Sequence, residues 1–296
     1  MASFWNAVMQ CDPRLYRTEV NGVETRVLEA GPSRSASGED TVFLIHGASG
    51  HLESFIRTLP YLAPHRRTIA FDLPWHGYAG YPDRPFDVVD HAEYLAALAA
   101  KLGADKVSLV GQSLGGAIAA RATVNELLDV QRLVLIGSAG VSGETKPDGP
   151  NTMKAALTSR SFEVVKARLD YAMTCRGPEM DELVECRYLA YQRGDWEPRV
   201  DAFTYHETPA GRRRTVLEES EWRRIACPTL LVWGADDKVV PPSAGRRLAE
   251  LIEQSELKIF PGCGHNPQFE LADEVNPVLR GFLGEQELAP AAKGEA

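Results

Sequence analysis

Runs of consecutive apolar residues alternate along the chain with stretches whose apolar positions recur every three or four residues. "TVFLIHG", "RTIAFDL", "KVSLVGQ", "RLVLIGS", "PTLLVWG" and "LKIFPG" are of the first kind, the pattern of strands covered on both faces. "VVDHAEYLAALAAKLGA" is of the second and ends near a glycine, as an amphipathic helix does. Strands alternating with helices predict a mostly parallel, eight-stranded sheet with helices on both sides. Ahead of it, "RTEVNGVETRVLEAG" sets two β-rich arms around Asn21-Gly22. That dipeptide readily supplies two positive φ angles, so the chain opens with an antiparallel hairpin.

The alternation breaks once, between Val141 and Cys227. The gap is far beyond the roughly 12–15 residues at which structureless loops become uncommon. "TMKAALTSRSFEVVKARLDYAM" and "EMDELVECRYLAYQRG" within it are amphipathic and rich in helix formers. They predict a helical cap inserted after the sixth strand, with residues 1–140 and 223–296 forming the core and 141–222 the cap. "PSRSASGED" reads as a polar loop and "EQELAPAAKGEA" as a frayed tail.

Composition narrows the functional classes. The chain has 296 residues, 44% of them hydrophobic, which is ample for a full core. A net charge of -9 offers phosphate backbones no long-range attraction, so nucleic acid is not an expected partner. The short cluster Arg212, Arg213 and Arg214 reads as a solvated face. Cys11, Cys175, Cys186, Cys227 and Cys263 are odd in number and form no CxxC pair, which argues against a disulfide framework and against a zinc site. A reducing, cytoplasmic setting is expected. No stretch of about 18 apolar residues occurs and the N-terminus lacks the pattern of a secretion signal, so no membrane association is expected.

The chemistry centres on Gly111-Gln112-Ser113-Leu114-Gly115, a G-x-S-x-G at the junction of a strand and a helix. In that setting the turn is tight, the serine is strained and pushed out over the sheet edge, and the glycines leave room for strand and helix. A serine hydroxyl needs an imidazole to take its proton and a carboxylate to hold that imidazole in the right tautomer. Both follow in order: "GADDKVVPP" after the next strand offers Asp237, with Asp236 as the alternative acid, and "CGHNP" after the last strand offers His265. All lie at C-terminal ends of parallel strands, where open α/β sheets build their sites. The oxyanion would be held by the backbone N–H groups of Leu114 and of Ala48 in "IHGASGH". Gly47 lets that backbone turn, and His46 reads as a structural residue. Asp72, His76 and Gly77 of "DLPWHGYAGYPDRP" read as residues that tie a loop down, and Cys263 as a small buried filler.

With "HGASG", "DLPWHG", "GQSLGG", "GADD" and "GCGH" in hand, the chain resembles the α/β-hydrolase fold family over nearly its whole length. Within it the chain is most similar to the meta-cleavage product hydrolases, which split a carbon–carbon bond in vinylogous 1,5-diketones. The resemblance implies an arginine on a cap helix that grips the substrate carboxylate, and Arg187 in "DELVECRYLAYQR" is the matching position. Gly47 and Asn266, beside the candidate oxyanion donor and the candidate base, are further expected substrate-binding positions. "HGASGH" stands where that family usually has HG-x-GPG, and Asn266 where it commonly has tryptophan.

The expected reaction is hydrolysis of a small, largely apolar carbonyl compound through an acyl-enzyme, with no metal and no organic cofactor. A carbon–carbon hydrolase of a 2-hydroxy-6-oxo-dienoate is the leading reading. A carboxylesterase or lactonase with the same triad is the alternative, and a slow-turnover ligand-binding receptor of the same fold a third. The partner is a small molecule, and whether the chain forms a homo-oligomer stays open.

Overall fold

The computed structural model describes residues 3–32, 41–142, 153–193, 197–205 and 208–284. The tail and most of the polar loop after the opening hairpin lie outside them. The strands are β1 (Arg14–Val20), β2 (Val23–Ala30), β3 (Thr41–Ile45), β4 (Thr68–Phe71), β5 (Lys106–Gln112), β6 (Asp129–Ile136), β7 (Thr229–Gly234) and β8 (Ser255–Phe260). They form one sheet in the order β1-β2-β4-β3-β5-β6-β7-β8. β1 and β2 run antiparallel to each other, as do β2 and β4, and every later pairing is parallel. The hairpin turns at Asn21 (φ 50°) and Gly22 (φ 77°), with Val20 opposite Val23.

The unbroken apolar runs feed two cores at once, because alternate residues of a strand face opposite sides of the sheet. Phe43 and Ile45 of β3 join one core with Phe71, Leu109, Leu133 and Trp233. Val42 and Leu44 join the other with Val110, Val134 and Val232. That second core continues upward into the insert through Val165, Leu169, Leu183 and Val184, all buried. Each fully buried Val or Leu side chain contributes about 1.5–3 kcal/mol, so these residues seat the cap firmly on the sheet.

Four helices matter below: α1 (Val88–Lys101), α2 (Leu114–Val124), α3 (Phe162–Ala172) and α4 (Pro178–Tyr191). α1 starts in a capping box, with the Asp87 carboxylate accepting from the Val89 and Asp90 N–H groups. Arg214 is exposed, as expected of a solvated face, and its Nε also reaches Asp87 at 2.5 Å. Its neighbours Arg212 and Arg213 have side chains outside the described residues. The single helical pattern over "TMKAALTSRSFEVVKARLDYAM" is in fact two helices, Met153–Ser159 and α3. Arg160 turns to φ 51° between them, and the Ser161 hydroxyl donates to Glu163 at 2.6 Å. At the base of the insert Val141 bridges to Leu217 in parallel.

α2 crosses the sheet so closely that position 115 in its first turn admits only glycine. A Cβ at Gly115 would collide with the carbonyl oxygens of Ile45 and His46, and one at Gly111 with the Gly115 backbone. Gly115→Ala is expected to lower unfolding free energy in urea by about 1–3 kcal/mol, the usual cost of overpacking, because the obstacle is backbone that cannot rotate away. An unchanged midpoint would show that the helix can move off the sheet.

Candidate active site

Ser113 follows β5 directly and has φ 53° and ψ -116°, a conformation few side-chain-bearing residues adopt. Its N–H donates to the Ile136 carbonyl at 2.9 Å, and its own carbonyl accepts from Ala139 at 3.0 Å. The strained turn is therefore pinned to the end of β6, and the side chain stays partly exposed in a buried run. One residue beyond Ile136, Gly137 packs against the other candidates. A Cβ there would lie 3.2 Å from both Asp237 Oδ2 and His265 Nδ1.

His265 Nδ1 donates to Asp237 Oδ2 at 2.7 Å, with both side chains buried. Asp237 is itself fixed, since Oδ1 accepts from the N–H groups of Val239 and Val240 at 2.8 and 2.9 Å. Asp236 is exposed and its N–H donates to the Cys263 carbonyl at 2.9 Å, so of the two acids Asp237 meets the imidazole. With Nδ1 carrying the proton, Nε2 holds a lone pair when the ring is neutral. The Gln112 amide donates to the His265 carbonyl at 3.1 Å and so joins the histidine loop to the strand that leads into Ser113. Cys263 is buried, and burial pushes its thiol far above the ordinary range, which leaves it inert.

The loop after β3 carries Gly47 and Ala48. A Cβ at Gly47 would strike the Gln112 side chain and lie 2.9 Å from the Ser113 Cβ, so this loop lies directly beside the serine. The N–H groups of Ala48 and Leu114 have no acceptor among the described residues. His46 sets the loop's path: Nδ1 donates to the Gly47 carbonyl at 2.8 Å and Nε2 accepts from the Leu73 N–H at 3.0 Å. Burial lowers its pKa to about 4, so it is a neutral structural residue. Asp72 accepts from the N–H groups of Leu52 (2.8 Å) and Tyr78 (2.9 Å) and from Arg26 Nε (2.8 Å), tying the two loops together.

Several partners have no local sequence signature. Arg26 also grips Glu53 through both carboxylate oxygens at 2.8 and 2.6 Å, and His51 Nδ1 donates to Glu53 at 2.7 Å. Burial alone would raise the Glu53 pKa, but His51 and Arg26 outweigh it and hold the carboxyl well below the usual range. From the cap, the Tyr191 hydroxyl donates to the Ser49 carbonyl at 3.0 Å. Arg187 lies one turn earlier on the same face of α4, half-buried, with Nη2 3.5 Å from the Ser54 hydroxyl. Among the described residues no carboxylate lies at ion-pair distance from it, and burial lowers its pKa. Arg187 was expected here from the family resemblance, and its four-residue spacing from Tyr191 is the signal that could have placed Tyr191 on the same face.

A model of the alpha/beta hydrolase fold matches residues 40–272. The chain belongs to the α/β-hydrolase fold family. Among its relatives, a 2-hydroxy-6-oxo-2,4-heptadienoate hydrolase of Pseudomonas putida is 32% identical over 274 residues, covering 90% of this chain and 95% of that protein. The meta-cleavage product hydrolase of Pseudomonas fluorescens IP01 superposes with a TM-score of 0.77 at 26% identity, covering 90% and 96% of the two chains. A bacterial membrane phospholipase A superposes equally well, with a TM-score of 0.78 at 26% identity over 94% and 88%. As an α/β hydrolase, this chain carries the expected eight-stranded sheet, with its helical insert between β6 and β7. Among the described residues no three His, Cys, Asp or Glu side chains are grouped to hold a metal ion, and no helix is long and apolar enough to cross a membrane.

The lowered pKa of His46 sets a pH signature. An unfolded histidine titrates near 6.5, so between about pH 6.5 and 4 the unfolded chain binds a proton that the fold refuses. Stability should therefore be full above that window and fall as pH drops through it, by on the order of 3 kcal/mol from this residue. Nitrogen-15 NMR of labelled histidine should find His46 neutral with its proton on Nδ1 at pH 6. A charged His46 at that pH would contradict the assignment.

Proposed function

We propose that the protein is a serine hydrolase that cleaves the carbon–carbon bond of a 2-hydroxy-6-oxo-dienoate. Ser113 Oγ attacks the 6-oxo carbon as His265 Nε2 takes its proton, and Asp237 orients the ring and stabilises the imidazolium. The N–H groups of Ala48 and Leu114 receive the oxyanion. Before this attack the dienol must become a ketone, because the departing carbon would otherwise leave as an unsupported carbanion. Once ketonised, the electron pair of the broken bond is delocalised through the adjacent double bond onto the 2-oxo oxygen, and the proton held by His265 returns to that fragment. Water then repeats the attack on the acyl-enzyme, giving a carboxylic acid.

The observation that carries this reading over other acyl chemistry is Arg187, a half-buried guanidinium on the sheet-facing side of the cap that lacks a carboxylate partner among the described residues. Keeping such a cation under a cap is costly unless an anion joins it. A dienoate carboxylate supplies that anion, and Gly47 and Asn266 border the rest of the substrate. The similarity to meta-cleavage product hydrolases points the same way. The second reading, a carboxylesterase, draws on the equal superposition with a phospholipase. It uses the same triad and needs neither ketonisation nor Arg187.

A ring-cleavage dienoate and a panel of p-nitrophenyl esters assayed side by side separate the two. The proposal expects loss of dienoate colour to outrun ester hydrolysis, and the reverse order would move the assignment to an esterase. Ser113→Ala should cut turnover at least about 10³-fold with the fold intact; retained turnover would remove Ser113 from the mechanism. Arg187→Gln should lower kcat/KM for the dienoate about 10- to 100-fold, matching about 1.5–3 kcal/mol for hydrogen bonds to charged groups, and barely touch a neutral ester. Equal losses on both substrates would show that Arg187 holds the cap rather than the substrate.

A further inference from the structure

The loop that carries His265 is held by a carboxylate that the catalytic scheme does not use. Glu270 is buried, and its oxygens collect donors from two parts of the molecule. Oε1 accepts from the Asn266 N–H at 2.8 Å, and Oε2 from the Gly264 N–H at 3.1 Å. His265 is thus bracketed on both sides. From the cap, just past the end of α3, Thr174 gives the same Oε2 its N–H at 2.5 Å and shares its hydroxyl at 2.8 Å. The contact is continuous, because the His265 N–H donates to the Ala172 carbonyl at 2.8 Å and a Cβ on Gly264 would run into Ala172 and Met173. Thr174 Oγ1 also lies 2.7 Å from the Gly262 carbonyl.

We infer that Glu270 is a positioning residue that locks the His265 loop to the cap, so that the base is aligned only when the segment 172–174 is seated. A charged acceptor can satisfy four donors converging on it, whereas a neutral amide would turn its own N–H groups toward some of them. Released from this clamp, the backbone of residues 264–266 is free to shift by fractions of an ångström. Imidazole catalysis is sensitive to such shifts, since misplacing a reacting group by about 1 Å can cost about 10²-fold. On the other side of the cap, Tyr191 meets Ser49 of the loop that carries Ala48. Cap seating therefore reaches both the base and the oxyanion donors, with Glu270 as the link to the base.

The inference rests on His265 acting as the base, and the test keeps the two apart. Wild type, Glu270→Gln and His265→Ala are compared for ester or dienoate turnover and for the rate at which a fluorophosphonate labels Ser113, all well below each variant's Tm. Glu270→Gln should lower kcat and the labelling rate together by at least about tenfold while KM stays within about twofold. A lower Tm with wild-type kcat would reduce Glu270 to a structural residue and overturn the inference. Wild-type turnover in His265→Ala would instead overturn the hydrolase mechanism beneath it. Should Glu270→Gln not fold, Thr174→Val keeps the carboxylate and removes one donor. A kcat loss of about threefold or more at unchanged KM then supports the link, and unchanged kcat overturns it.

Discussion

The backbone turn at Ser113 is the constraint from which the rest of the site follows. A residue at φ 53° between a buried strand and a helix persists only if its surroundings leave it no alternative. Here Ile136 and Ala139 hold its peptide groups. α2 is packed onto β3 with no space for a side chain at Gly115. The strain is offset by the burial of α2 between the sheet and α1, and it delivers a hydroxyl that cannot fold back into the core. Every other candidate group is arranged around that fixed point: the Asp237–His265 pair across Gly137, and the Ala48 loop against Gln112.

A second level of organisation keeps the loops in register. Three ionic and hydrogen-bonded centres stand behind the site: Asp72 with Arg26, Glu53 with Arg26 and His51, and Glu270 with the His265 loop. Each joins segments far apart in the chain. Each also lies in a buried or half-buried setting, where removing one partner leaves a charge or N–H group unsatisfied and costs more than the intact pair contributes. The cap is seated by apolar burial, yet it touches the chemistry through polar atoms: Tyr191 on Ser49, Arg187 beside Ser54, and Thr174 on Glu270.

How much of this was legible in the sequence depends on the range of the interaction. Strands, hairpin and serine turn are local, written in runs such as "KVSLVGQ" and in the Asn21-Gly22 pair, and the structure has them where the pattern puts them. The choice between Asp236 and Asp237 was not local. It depends on which carboxylate the turn buries toward β6, and only Asp237 is turned inward. The helix break at Arg160 falls in a run of four polar residues, Thr158 to Ser161, that interrupts the apolar spacing, so the sequence carried that signal although the two flanking segments read as one amphipathic stretch. Arg214 pairs with the start of α1 across more than a hundred residues, and no reading of a charge cluster could foresee that. Glu270 was illegible for the same reason: three of its donors are backbone N–H groups, which every residue except proline possesses, and the fourth is a hydroxyl 96 residues away.

If the proposed mechanism holds, Ser113 becomes covalently acylated by way of His265. Rapid quenching of the enzyme during turnover of an activated ester, followed by peptide mass spectrometry, tests it directly. The acyl mass should appear on the peptide containing Ser113, be absent in Ser113→Ala and form far more slowly in His265→Ala. An acyl group found on a different residue, or accumulating on Ser113 at the same rate without the imidazole, would contradict the mechanism.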